Sequence, residues 1–541
     1  MCLLGACTLA PSLAQPSAAE TTDPQRVEER LPDQPAREQP GNAPVHVDDA
    51  DLASIPVFGL TSVRVEGATA LDPREIDGCV ASLIGQQVGA ASLSGLTDCV
   101  TRLYRSRDFF LSRAMIPPQQ VQGGALTLRV IEGYIAAVEP TGIDQPEVDG
   151  QFAETYAERP ARLATFERSL LLLSDRYGHR VTSSRLAADP GDPARFTLKL
   201  AVDVKPVTWR VFGDNRGDAF QGPEQGLISV AWNSPFGTTD RIIAQTFTAP
   251  ANTNELFFAE LGYGRSWFDG LLWTEVAAST SNSSSGGTIP DFTSTSDRIY
   301  ARLTVPLLRS REHSIWAKLQ VDARDAEVLD ISAYHTDEHT RVLRGSLSYT
   351  LVKGATRADV TVEAFHGLDA LGASSNGDAN LSRADARPQF TKLRLDASAT
   401  RKVFAKLDAA VMGAAQWADG ALPAAEEFGA GGARYGRAYD YSEIVGDNGI
   451  AGALELRWTW KKLNDWVNSL QLYAFADAAQ IWNLGPTGPE ETSLSSAGGG
   501  LRVSVAPGIL ATVEVAKPLT RDVASQGDRS PRVFVSLAAG W

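Results

Sequence analysis

From Pro206 onward the chain keeps switching between apolar and polar residues with a period of two, and few folds can absorb such a pattern. In the closing run Val533, Val535, Leu537, Ala539 and Trp541 share one phase, Arg532, Ser536, Ala538 and Gly540 the other, and Phe534 is the one misfit. Leu454, Leu456, Trp458 and Trp460 alternate with Glu455, Arg457 and Thr459, as Ile299, Ala301, Leu303 and Val305 do with Arg298, Tyr300, Arg302 and Thr304. Successive side chains of a strand point to opposite faces, so each segment is a strand with one greasy and one wet face. A soluble sandwich shows the same alternation, but its strands average about 5–6 residues. The segments here run to about 9–11, the span of a tilted transmembrane strand. At about 21 residues for a strand and its turn, residues 206–541 make a transmembrane β-barrel of roughly 16 strands.

Composition agrees with that class. Lys and Arg total 50 against 65 Asp and Glu, a formal charge of −15, which argues against a nucleic-acid partner, since that would favour a basic stripe. Mean hydropathy is −0.14, as expected when half of every strand faces water. Beyond the leader no run of about 18 apolar residues marks a spanning helix. Residues 1–14 read as the apolar core of a signal peptide, with Ser12, Leu13 and Ala14 as a small-x-small cleavage site. No Lys or Arg precedes that core, which leaves a basic n-region to be sought upstream. A rival is the lipoprotein-like run Leu4, Gly5, Ala6, Cys7. Residues 15–56, rich in Pro, Gln, Asp and Glu, form an extended linker.

Two compact α+β units follow, assigned to residues 57–133 and 134–205. In the first, residues 62–67 are a strand. Asp72, Pro73 and Glu75 open a helix as N-cap, N1 and N3, whose apolar face is Ile76, Cys79, Val80 and Leu83. A second helix begins near Ser92, and strands follow at 112–117 and 125–132. The order β-α-α-β-β then repeats, with strands at 134–139, 180–187 and 195–204 and helical stretches at 148–157 and 162–177. Cys79 and Cys99 lie on the core-facing sides of the first unit's helices. Either they are two buried thiols or, in an exported chain, a disulfide.

At these residues the chain resembles the transporters of two-partner secretion, the TpsB group that exports filamentous haemagglutinins and haemolysins. Arg113, Ile116, Pro117, Pro118 and Gln119, then Gly124, Leu128, Ile131, Glu132, Gly133 and Tyr134, are similar to the signature of that family's first POTRA domain. Gly213, Asp214, Asn215, Arg216 and Gly217 are similar to its first barrel-strand motif, and residues 234–240 to its next turn. Residues 428–440, with Phe428, Gly431, Gly432, Gly436, Arg437, Ala438, Tyr439 and Asp440, continue to Asp447 and to Glu455, Leu456 and Arg457. They resemble the sixth extracellular loop, which in the family folds back into the lumen on an Arg-Gly-aromatic tip; Ala438 stands in place of the glycine. The resemblance implies that Arg437 reaches an acidic residue of a Phe-x-Asp motif, matched by Phe475 and Asp477, with Tyr439 beside it. A guanidinium shielded from water gains from such a bidentate partner.

The resemblance further implies two periplasmic POTRA domains ahead of an outer-membrane barrel that exports one dedicated exoprotein without ATP. The exoprotein's N-terminal secretion domain would dock by strand addition at edges such as 112–117 and 180–187, with Ile116, Pro117 and Gln119 as docking residues. Outer-membrane lipid and, during biogenesis, the barrel-assembly machinery are further partners; the strand ending at Trp541 resembles the signal read by that machinery. The runner-up is an insertase of the same superfamily, although such proteins usually carry more POTRA copies. A passive porin would lack the folded arm. No catalytic, cofactor or metal site is expected. His335 and His339 have metal-like spacing, but the flanking alternation puts them on a hairpin turn, and residues 279–296 and 367–388 read as long extracellular loops.

Overall fold

The computed structural model describes residues 56–218, 221–237, 239–284, 292–330, 335–485, 488–505 and 508–540. The expected leader, Cys7, nearly all of the linker and the terminal Trp541 lie outside them.

The first unit is a three-stranded sheet backed by two helices. Its strands are Ser62–Glu66, Ala125–Ile131 and Arg113–Met115, with Ala125–Ile131 in the centre, parallel to the first and antiparallel to the last. Pro73–Val80 is capped by Asp72, whose carboxylate accepts from the Arg74 N–H. Ala90–Ser106 buries Leu93, Leu96, Val100 and Tyr104 against the sheet, residues spaced to line one helical face. Glu132, just past the central strand, accepts hydrogen bonds from the N–H groups of Thr69 (2.7 Å) and Ala70 (2.8 Å), from the Thr69 hydroxyl and from the Tyr104 hydroxyl (2.7 Å). Burial alone would raise its carboxyl, but these donors outweigh that and hold it below its ordinary range. One side chain thereby ties a loop, a helix and the sheet together. Cys79 and Cys99 form a disulfide between the two helices.

The second unit repeats the plan. Strand Arg195–Val204 is central, between Tyr134–Thr141 and the edge strand His179–Ala188. The stretch expected as one helix at 148–157 is two, Gln145–Gln151 and Ala153–Ala157, broken at Phe152, whose fully buried ring takes φ −104° and ψ 10°. The units are fused rather than merely tethered. A Cβ at Gly133 would lie 2.7 Å from Leu111 and 3.0 Å from Phe196, Phe110 stacks on Phe166, and the Leu163 N–H donates to the Asp108 carbonyl.

Sixteen antiparallel strands, from Val207–Asp214 to Arg532–Gly540, then close into a barrel by pairing the last with the first. The alternation is carried out side by side. Leu454, Leu456 and Leu537 are 63%, 56% and 55% exposed on the outside, whereas Glu455, between the first two, is 1% exposed on the inside. An outer surface this apolar has lipid as its natural solvent. Phe534, the misfit in the pattern, faces inward at the polar phase and lies under two guanidiniums, Arg216 at 4.0 Å and Arg532 at 5.1 Å.

Three expectations need correcting. Many barrel strands are longer than 9–11 residues: Phe292–Arg309, His313–Asp330 and His335–Lys353 have 18, 18 and 19, and across the barrel Val467–Gly485 has 19. At about 3.4 Å per residue they outrun a bilayer core of about 30 Å and stand above it. The stretch 279–296 is therefore mostly strand, in Leu272–Ser284 and Phe292–Arg309. His335 and His339 likewise open a strand rather than a turn, paired with Glu327 at 3.0 Å and Asp325 at 2.7 Å.

The second unit is clamped to the barrel's mouth. Arg309 makes a bidentate pair with Asp175 (2.7 and 2.8 Å) at the end of helix Leu163–Asp175. Buried Arg176 reaches Asp269 at 2.9 Å on the turn after the fourth strand, and Tyr177 packs edge-on against Trp273. A register shift between Pro306 and Leu308 redirects the strand just before Arg309, as bulges do.

Candidate functional site: a loop fastened across the lumen

Between strands Leu407–Ala418 and Asn448–Lys461 the chain does not stay outside but turns into the barrel. It makes a short hairpin of Phe428–Ala430 with Ile444–Gly446, whose tip carries Arg437, Ala438 and Tyr439, all at or below 3% exposure. Gly431, Gly432 and Gly436 hold φ of 120°, 102° and 74°, the left-handed region. A Cβ at Gly431 would lie 2.0 Å from the Asp440 carbonyl oxygen. Ala438 is not among the left-handed residues, so this turn does not need a glycine there.

Arg437 and Asp477 do meet, but not as a bidentate pair. The guanidinium's hydrogen-bond partner is Glu455, at 2.6 Å, while Asp477 stands 3.8 Å from Nε and Glu514 3.7 Å from Nη1. Asp477 spends its oxygens elsewhere: one accepts from the Gly436 N–H (2.8 Å) and the Ser496 hydroxyl (2.6 Å), and the other faces the Arg437 N–H at 3.5 Å. It fixes the backbone of the tip, and Glu455 fixes the charge. Phe475 lies under the Arg437 guanidinium at 4.2 Å, and the Tyr439 hydroxyl donates to the Ser495 carbonyl at 3.1 Å.

Sequence reasoning missed the hub. Glu455 also accepts from Arg457 (2.6 Å) and Arg502 (2.7 Å), so three arginines converge on one carboxylate. Arg502 lies over the ring of Tyr473 at 3.7 Å, and Tyr473 donates to Glu514 at 2.7 Å. The glycine run 498–500 makes this possible. Gly498 and Gly500 sit across the ladder from Phe475 and Tyr473, where an added Cβ would come within 2.8 Å and 2.6 Å of those side chains. Bare backbone lets both rings lie down as shelves for arginines. The inward phase of Glu455 was readable; its convergence with Arg437 and Arg502 depends on the closed barrel.

The loop's other end is bolted to neighbouring strands of the same barrel. Glu426, buried, pairs with Arg344 at 2.9 Å and Lys392 at 2.8 Å. Asp447, fully buried, accepts from Arg383 (2.6 Å) and from the N–H groups of Leu422 and Leu484 (2.6 Å each). Arg383 belongs to the loop at 368–390, so the two loops are cross-linked.

Two of the three residues read as docking positions are engaged within the first unit, while Pro117 is half-buried. Ile116 is in its core, and the Gln119 amide clasps the backbone of Thr127 through two 2.7 Å bonds. The edge strand before them, Arg113–Met115, and His179–Ala188 are each at the border of their sheet.

A barrel with two α+β units at its mouth and a loop bolted inside defines a class of membrane β-barrel. A family model described as POTRA domain, ShlB-type matches residues 58–133, and one described as haemolysin secretion/activation protein ShlB/FhaC/HecB matches residues 198–503. The chain belongs to this haemolysin secretion/activation family. It is 28% identical over 188 residues to an outer membrane transporter, CdiB, of Escherichia coli; the match covers 34% of this chain and 32% of the relative, about a third of the relative's length. The solved structure of CdiB from Escherichia coli superposes with a TM-score of 0.72 at 20% identity over 96% of both chains, and that of CdiB from Acinetobacter baumannii with 0.61 at 15%, again over 96% of both.

Proposed function

We propose that this protein is an outer-membrane transporter of two-partner secretion. It exports one dedicated exoprotein of the haemolysin or filamentous-haemagglutinin kind, with its two POTRA domains in the periplasm. The observation that carries this reading is a loop folded into a closed barrel and anchored there by buried ion pairs at two separate points, Glu426 and Arg437. A passive pore has little use for so many buried ion pairs across its own lumen, since each costs desolvation. A gate that must be released for a passenger does.

The exoprotein arrives unfolded and its secretion domain adds a strand to Arg113–Met115 or His179–Ala188. Release of the loop opens the polar lumen and the chain threads through. Folding outside makes return unfavourable, so directionality needs no ATP. The barrel-assembly machinery inserts the protein, and lipid covers its apolar band.

Arg437→Ala tests the reading. In cells expressing the paired exoprotein, secretion into the medium should be lost while the barrel still assembles, scored by heat-modifiable migration of outer-membrane fractions. Secretion at the normal level would refute it.

A further inference from the structure

The cavity beneath the loop carries a charge opposite to that of the chain. The whole sequence has more acids than bases, 65 against 50. Yet of the side chains lining this cavity of about 570 Å³, ten are Lys or Arg and six are Asp or Glu. The acids are also locally outnumbered. Glu455 is shared by three arginines, and Asp396 lies between Arg394 at 2.8 Å and Arg434 at 3.3 Å. Behind the lining, Asp322 holds Arg298 and Arg344, and Asp477 faces Arg437, so the excess of base over acid that remains is small; low-dielectric walls focus its positive field along the axis.

A second cavity, of about 290 Å³, opens at the barrel's periplasmic end between Asp175 and Tyr177 of the second unit and Trp273 and Trp316 of the barrel. The two cavities share Arg302 and Lys318, so they adjoin there and together mark out a path from the folded arm toward the lumen. Arg302 is held by Gln320 at 2.6 Å and faces Glu275 at 3.5 Å, whereas Lys318 is exposed. Lining positions such as Ser346, Thr361, Ser398 and Thr512 add hydroxyls, which exchange hydrogen bonds with peptide groups without demanding a fixed shape.

We propose that this path selects acidic, unfolded polypeptide, with Lys318 at the junction of the two cavities as a specificity-determining residue. The proposal rests on the export reading and names the chemistry of the passenger segment that enters first. Lys318 would meet that segment as a mobile point charge, and the positive lumen beyond would draw it in.

The test uses the full chain purified in non-ionic detergent with fluorescein-labelled oligo-glutamate and oligo-lysine of equal length, read by anisotropy. At low salt oligo-glutamate should bind at least about tenfold more tightly than oligo-lysine. The gap should shrink as salt shortens the Debye length from about 10 Å at 0.1 M to about 3 Å at 1 M. Lys318→Glu should remove most of the preference and Lys318→Gln part of it, with strand content by circular dichroism unchanged. Equal binding of the two probes, preference for oligo-lysine, or an unaltered preference in the Lys318 variants would overturn the proposal. If Lys318→Glu fails to assemble, Lys318→Gln and the salt series on the unaltered chain still decide. The readout is independent of secretion: binding can lack any preference while export continues, and export can be absent while the preference stands.

Discussion

At the residue scale the weight falls on carboxylates that serve several donors. Arg437→Ala leaves Glu455 with Arg457 and Arg502, whereas Glu455→Gln leaves three guanidiniums around a neutral amide. Breaking a buried pair costs about 3–5 kcal/mol, and the Gln variant breaks more of them. Limited proteolysis of the loop should therefore be faster in Glu455→Gln than in Arg437→Ala; the reverse order would show that Glu455 is not the hub. Glu132 gives a pH prediction. Its donors hold its carboxyl below the ordinary range, against the opposing effect of burial. The stability it supplies is therefore complete above the ordinary carboxylate pKa of about 4.3 and is lost as pH falls through the lower folded value. Hydrogen exchange in strand Ser62–Glu66 should lose protection as pH falls below the ordinary carboxylate pKa of about 4.3, and Glu132→Gln should flatten that loss, starting from lower protection.

At the element scale the strands were the legible part. Period-two alternation exposes a strand in any linear reading, because facing is decided two residues away. Phe534 reads as a misfit because an apolar ring falls on the polar phase, whereas a ring can serve as an inward shelf for Arg216. The inner network was less legible. Arg437 and Arg502 stand 18 and 47 residues from Glu455, distances that no local pattern encodes. Arg437 and Asp477 were singled out through a motif, and chemistry alone would not have divided their roles between charge and backbone. For the helices of the first unit, the Cys79–Cys99 link spans 20 residues. Replacing both cysteines with alanine should cost about 3 kcal/mol on the chain-entropy estimate. Pulse proteolysis of the arm in urea should register this as an earlier midpoint, and an unchanged midpoint would count against it.

At the scale of the whole molecule, the clamp at the barrel's mouth decides how the parts move. Arg309–Asp175, Arg311–Glu167 and Arg176–Asp269 join the second unit to the barrel, the first two through partly buried pairs and the third through a buried guanidinium on an exposed carboxylate. Spin labels on Arg185 and Phe404 should give a narrow distance distribution by pulsed electron resonance, and Asp175→Asn should broaden it; equal widths would mean that the clamp bears no load. Because the two α+β units are themselves fused at Gly133 and Phe110, the edge strand Arg113–Met115 keeps a constant offset from the mouth. The arm is then a measuring rod rather than a swinging crane: on the export reading proposed above, a passenger gripped at that edge needs a leash of one particular length before its next segment reaches the threshold.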